Sequence, residues 1–349
     1  KLMHVSGVLY FVLLFRTQSL EVEESVKFII LTTQRSGSTY VMSLLRNVQR
    51  VNSALRTVVS EPVGQELRES KISARMMSAM SFHDFEPILR RAFARFGCEF
   101  TVVSAGKVAA CGAKIMYNQL PNSSFGPSES SRATIQWLLS RKVRFVHLIR
   151  QSHARKVLSN FRLSSTGIAH NRGDRDTFHN YQFASLSIDP IKVLRSIQLS
   201  VKASVAHRFE LRRTLPSQSL LEIYYEDLLS DSLNDSTSTI SNLLAFISPV
   251  STDFRKYIHA ATTDIMRNPR HRCSELLVSW PTVVEGLQSH IENLKRSLNI
   301  VKSTAVTQDQ EDEVQLLATQ IGDLEFSISD CSLTDYDLTI QRAVKSSTS

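Results

Sequence analysis

Short apolar runs separated by longer amphipathic stretches set the plan of this chain. Runs with β-branched character at Lys27–Thr33, Leu55–Ser60, Gly112–Tyr117, Val143–Ile149 and Leu220–Tyr225 read as buried strands. Helical spacing marks Thr39–Val51, Val63–Met77, Asp84–Phe96, Ser131–Arg141, His153–Leu163, Ile191–Arg213 and Thr237–Ile247. Strands alternating with helices predict an α/β domain whose mostly parallel central sheet is flanked by helices on both faces. In such sheets, ligands gather beyond the carboxyl ends of the strands. Pro121–Glu129 reads as a loop, and the polar stretch Leu163–Asp189 reads as a substrate lid or a plain surface loop. Pro281–Leu324 is helical and charged, and the tail from Ser346 is predicted to be disordered.

The first candidate chemistry lies in Lys27–Leu45, KFIILTTQRSGSTYVMSLL. An apolar strand runs into a turn at Ser36-Gly37-Ser38-Thr39 and continues as a helix. Amide N–H groups at a helix start, together with the helix dipole, favour an anion. Gly37 lets the backbone approach a phosphate closely. Arg35 offers a fork of donors for phosphate or sulfonate oxygens. Ser36, Ser38 and Thr39 add hydroxyls. The plain alternative is an ordinary capped strand–helix turn. The loop is not a Walker A motif, because no Lys precedes the Ser/Thr, and Gly106-Lys107 is followed by Val108.

QRSGST resembles the 5′-phosphosulfate loop of sulfotransferases, which use 3′-phosphoadenosine-5′-phosphosulfate (PAPS) as sulfonate donor. The resemblance implies a P-loop-like three-layer fold and a donor held by Arg35, Ser36, Gly37, Ser38, Thr39 and Tyr40.

A second segment adds to this. Residues 130–173 contain no Asp or Glu, yet hold Arg132, Arg141, Lys142, Arg144, Arg150, Arg155, Lys156, Arg162 and Arg172. Arg150 ends a predicted strand where its side chain can meet a bound anion, and Ser159 lies on the next helix, with Gln151 or Ser152 near its cap. A second strand-to-helix anion site is one reading. For Lys142, Arg155 and Lys156, a solvated basic helix face is preferred. The segment resembles the 3′-phosphate motif of sulfotransferases. The nine residues from Arg150 to Ser159 look like the bacterial trehalose- and nodulation-factor-type enzymes rather than the cytosolic members. Gln151 stands where those enzymes often carry a second Arg.

The two motifs lie about 115 residues apart in the order the family implies. LLEIYYEDLLSD, from Leu220 to Asp231, resembles the family's strand-plus-YEDL element, and Glu226 and Asp227 are expected to cap the following helix. The resemblance covers roughly residues 27–250, more weakly to about 290, and points to the carbohydrate-acting and bacterial branches. The chain is thus expected to divide into an N-terminal apolar segment over 1–26, a sulfotransferase domain over 27–300, and a C-terminal helix and flexible tail over 301–349. A late basic segment implies that Asn268, Arg270 and Arg272 close over the nucleotide, with Ser279 in place of the usual Asn. Trp280 reads as a core residue or an adenine stack.

Sulfonate transfer needs in-line positioning, cations at the bridging oxygen, and a base for the acceptor proton. The resemblance assigns Arg35 to the leaving group. Glu61, in VVSEPVGQEL, matches an [FSY]-E-P pattern of carbohydrate sulfotransferases, which implies the general base; the plain alternative is a helix-start Glu that satisfies N–H groups. Lys114, in CGAKIMYNQL, matches a family Lys near the sulfonate or acceptor. His83 is the runner-up base, and His147 reads as a core or supporting histidine.

Composition changes this picture little. The 349 residues, 42% hydrophobic and 21% charged, describe a globular chain with a sizeable core. The net charge of +8 suggests anionic partners. Basic residues grouped around phosphate-sized sites favour a nucleotide over nucleic acid. No metal is needed where Arg and Lys supply the charge. The alternatives are a P-loop nucleotide kinase or NTPase, and a non-catalytic nucleotide-binding member of the fold. The acceptor is expected to be a glycan or another small hydroxylated molecule. Val5–Phe15 is apolar and too short to span a bilayer. It reads as a membrane-anchor or signal remnant, placing the protein in the Golgi, or as a buried element of a cytoplasmic one. The widely spaced cysteines, Cys98, Cys111, Cys273 and Cys331, decide nothing about redox compartment.

Overall fold

A computed structural model of the chain describes residues 26–34, 36–51, 57–95, 110–122, 126–166, 186–229, 233–248, 258, 262, 273–304 and 307–332. Val5–Phe15, residues 167–185 of the lid candidate Leu163–Asp189, the late basic segment at 263–272 and the tail lie outside the described residues.

The expected strands form one sheet. β1 (Val26–Thr32), β2 (Thr57–Ser60), β3 (Ala110–Met116), β4 (Arg144–Ile149) and β5 (Leu220–Tyr224) lie in the order β2-β3-β1-β4-β5, with every neighbouring pair parallel. β1 is central. Its Ile30 is level with Lys114 on β3 and Val146 on β4. Phe28 to Leu31 are buried without interruption, as expected of a strand covered on both faces.

Helices form the outer layers. α1 (Ser38–Val51) and α9 (Leu233–Ile247) cover one face, where Phe28 and Ile30 meet Val41, Leu44, Leu243 and Ile247. α2 (Pro62–Glu69), α3 (Ala74–Ala79), α4 (Phe82–Arg95) and α5 (Glu129–Leu139) cover the other, around Ile29, Leu31, Phe85, Leu89 and Phe145. This is an α/β, P-loop-like three-layer fold. Each fully buried Leu, Ile or Phe contributes about 1.5–3 kcal/mol of burial.

α6 (His153–Thr166), α7 (Pro190–Thr214), the one-turn α10 (Cys273–Leu276), α11 (Trp280–Thr304) and α12 (Gln308–Ser332) share a further core around Leu158, Val201, Leu287 and Leu324. Asp189 caps α7 by accepting from Ile191 N at 2.9 Å, ahead of Pro190 in the first turn. A disulfide joins Cys273 to Cys331, and Cys111 is disulfide-bonded as well.

The helix expected over Val63–Met77 is two helices. The chain turns at Lys71 (φ 55), and Ser73 caps the second helix by accepting from Met76 N at 3.2 Å. A domain boundary at 300/301 falls inside α11, and the last helix extends past Leu324 to Ser332. Among the described residues, no helix is long and apolar enough to cross a membrane.

Candidate active site

The loop after β1 is folded by its own hydroxyls. Thr32 Oγ1 donates to Leu148 O on β4 at 3.1 Å and meets Ser36 Oγ, which also donates to Thr33 O at 2.7 Å. Ser36 is fully buried. Its hydroxyl therefore shapes the loop, whereas sequence reasoning assigned it to the ligand. Gly37 follows with φ 82, and Val41 N donates to its carbonyl at 3.2 Å, which starts α1. The amides of Ser38, Thr39 and Tyr40 are thus first-turn donors without intrahelical acceptors. Ser38 is buried and Thr39 is exposed. The Tyr40 ring packs in the core, edge-on to Tyr225 with centroids 6.2 Å apart, so this residue can serve a ligand through its backbone. Arg35 lies outside the described residues.

Tyr225 opens the one-turn α8 (Tyr225–Leu228) and presses its ring against Gly37, where a Cβ would meet it at 2.0 Å. The Arg150 guanidinium lies 5.3 Å from the centroid of the same ring. One aromatic ring therefore joins the first motif to the second.

Glu226 holds a different helix start: its Oε2 and Oε1 accept from Gln151 N and Ser152 N, each at 3.1 Å, while the residues just before α9 lie outside the described residues. Burial raises its pKa, opposed by Arg150 and by these amides. Ser327 Oγ takes His153 N at 2.9 Å. The amides of Gln151, Ser152 and His153 are thus already satisfied from within the protein. Arg150 and the half-buried Ser159 on α6 are the side chains expected to grip an anion here.

The solvated basic face is corrected in the same way. Lys142 is exposed, but Arg155 and Lys156 are 9% and 6% exposed. Arg155 Nε pairs with Asp330 at 2.6 Å, and Arg132 Nε with Glu210 at 2.6 Å. The segment lacks carboxylates of its own and draws them from α7 and α12.

Lys156 Nζ reaches Thr33 Oγ1 at 3.3 Å, and burial together with the Arg150 charge brings its ammonium down to about 7, against the pull of Asp323. It opens into a cavity of about 360 Å³ lined also by Thr33, Tyr117, Asn118, Asn160, Phe161 and Ser200. The signal was present in the sequence as Lys156, Asn160 and Ser164, spaced to share one helix face.

Glu61 and Lys114 come together with each other. Lys114 Nζ donates to Glu61 Oε1 in an ion pair between a buried ammonium and a half-buried carboxylate. Glu61 precedes α2 but makes no side-chain cap there, which removes the plain helix-start reading. Neither residue lines the cavity. His83 is exposed on α4. His147 is buried, its Nδ1 3.6 Å from Glu222 Oε1, and burial lowers its pKa. Trp280 is a core residue. Arg270 lies outside the described residues, with Asn268 and Arg272.

No family model matches the chain, and no curated protein matches it. Among solved structures, mouse sulfotransferase SULT7A1 complexed with PAP is similar over 72% of this chain and 70% of that chain, at 8% identity and a TM-score of 0.33. The sulfotransferase domain of the Synechococcus PCC 7002 olefin synthase is similar over 72% and 84%, at 17% identity and a TM-score of 0.30. The sulfotransferase domain from the curacin biosynthetic pathway is similar over 69% and 84%, at 12% identity and a TM-score of 0.30. At such distance, function has to be read from the residues.

Proposed function

We propose that this chain transfers a sulfonate group from PAPS to a hydroxyl of a carbohydrate or another small acceptor, releasing 3′-phosphoadenosine-5′-phosphate (PAP). The observation that carries the reading is Tyr225, whose ring touches Gly37 on one side of the site and lies under Arg150 on the other. It couples a phosphosulfate-type loop to a cation suited to a 3′-phosphate. The donor fits the groups present. Free first-turn amides at Ser38–Tyr40 suit its 5′ end, and Arg150 with Ser159 suits its 3′ end.

Bound PAPS would supply an activated sulfonate. The chain's own part is to hold charge and move a proton. Arg35 would stabilise charge on the leaving phosphate without donating a proton, since a guanidinium stays charged. Glu61, held by Lys114, would take the acceptor proton.

A thermal-shift titration tests this. At saturating PAP the expected rise is about 5 °C. ATP should give little, and Arg150→Ala should abolish the PAP response. Equal stabilisation by ATP, or none by PAP, would sink the reading.

A further inference from the structure

A buried cation in a wall that has no carboxylate calls for an anion from outside. Lys156 is such a group. It is more than nine-tenths buried, and its only hydrogen bond among the described residues is the 3.3 Å contact to Thr33 Oγ1. It forms no ion pair among the described residues. Its neighbour Arg155 is paired with Asp330, so the same helix shows how a buried cation here is ordinarily satisfied. Asp323 is already engaged by Arg208 at 3.4 Å and lies 3.7 Å from His153 Nε2. Burying an ammonium without a partner is costly, and a ligand anion would relieve that cost.

The cavity's other walls define the rest of the ligand. Phe161 offers a flat apolar face, and Asn118, Asn160, Ser196 and Ser200 offer amides and hydroxyls; no Asp or Glu is among the described residues that line it. A volume of about 360 Å³ sits at the small end of ligand pockets and accommodates a sugar-sized molecule. Thr33 borders the cavity and leads directly into the loop, whereas none of Gly37 to Tyr40 lines it. The space therefore adjoins the proposed donor site without being part of it.

We infer that Lys156 selects an acceptor whose carboxylate or sulfate ester is seated in this cavity beside the loop, its reacting hydroxyl lying outside it. The inference rests on the sulfonate-transfer reading for the word acceptor, and on the cavity alone for the anion.

Calorimetric titration of the full chain tests both parts, with and without saturating PAP. The probes are methyl β-D-glucuronoside, methyl 6-O-sulfo-β-D-glucoside and the neutral methyl β-D-glucoside. At least one anionic probe should bind about tenfold or more tightly than the neutral one, and the tighter of the two names the group. Lys156→Gln should erase that preference, and Lys156→Arg should keep it. Equal binding of charged and neutral probes, or a preference that survives Lys156→Gln, overturns the inference. So does a tenfold loss of PAP affinity in Lys156→Gln, which would put the ammonium on the donor. If wild-type protein fails to bind PAP, the transferase reading falls, and the titrations without PAP still decide whether Lys156 is an anion site.

Discussion

The ring of Tyr225 and the α-carbon of Gly37 are in such close approach that no side chain fits between them; an added Cβ would stand 2.0 Å from the ring. Gly37 also sits at φ 82, a conformation that costs other residues about 1–2 kcal/mol. Gly37→Ala therefore carries two penalties, and the second displaces the ring under Arg150. The expected result is a loss of at least about 2 kcal/mol in denaturant unfolding and a lost thermal response to PAP. Adding Tyr225→Ala should give a double variant less destabilised than the sum of the singles. Strict additivity would show that the ring is not the obstacle.

Glu226 ties the YEDL element to the entrance of α6 by accepting two amides. Glu226→Ala would leave Gln151 N and Ser152 N without their acceptor and would remove the carboxylate that balances Arg150. Each orphaned donor costs about 1–3 kcal/mol. Unfolding midpoints should fall accordingly, and PAP affinity should fall with them as Arg150 loses its setting. Unchanged affinity at reduced stability would confine Glu226 to folding.

The Glu61–Lys114 pair makes a different kind of prediction. Glu61→Gln keeps size and removes the base. PAP should bind with unchanged affinity, while turnover with PAPS and an acceptor falls by about a hundredfold or more. Lys114→Met should also lower turnover, since it releases the carboxylate from its partner. Full activity in Glu61→Gln would move the base elsewhere.

Which parts of this were legible in the sequence follows from how local each cause is. The strands were readable because β1 and β4 are buried on both faces, so apolar residues run on through them, with His147 the one polar residue inside β4. Gly37 was readable because its turn is set by adjacent residues. The helix break near Lys71 was not, since it turns on one residue in a left-handed conformation inside a stretch of helical spacing. The fate of the basic segment was hidden for a stronger reason. Arg155 meets Asp330 across 175 residues, and Gln151 meets Glu226 across 75. Spacing on one helix shows that Lys156 shares a face with Asn160; it does not show that α7 and α12 bury that face. The pairing of Glu61 with Lys114 depends on β2 and β3 being neighbours, which strand prediction alone does not provide.

The disulfide between Cys273 and Cys331 holds the end of α12 against the rest of the domain. That helix carries Asp323, Ser327 and Asp330, the partners of Arg208, His153 N and Arg155. With the cysteines 58 positions apart in sequence, loop-closure entropy gives about 4 kcal/mol. The double variant Cys273→Ser/Cys331→Ser should unfold at lower denaturant by roughly that amount, and amide exchange should quicken first in α12 and at the start of α6. Exchange confined to α12 would mean that α6 stands without its clasp.

Lys156 should also be visible in the pH dependence of stability. In the unfolded chain its ammonium titrates near the ordinary 10.5, and in the folded protein near 7. Between those values the unfolded state binds the extra proton, so stability rises with pH, by at most about 1.4 kcal/mol per unit. The groups that set this are Arg150 at the end of β4, which lowers the ammonium further, and Asp323 on α12, which opposes. His153 on the same helix, held down to about 4 by burial, makes its own contribution below pH 6.5 and not in this window. Urea midpoints at pH 7, 8 and 9 should climb for the wild-type chain and climb less for Lys156→Gln, which should also be the more stable of the two at pH 7. Parallel curves would show that the Lys156 ammonium keeps its proton through that range and is not the buried, unpaired cation described above.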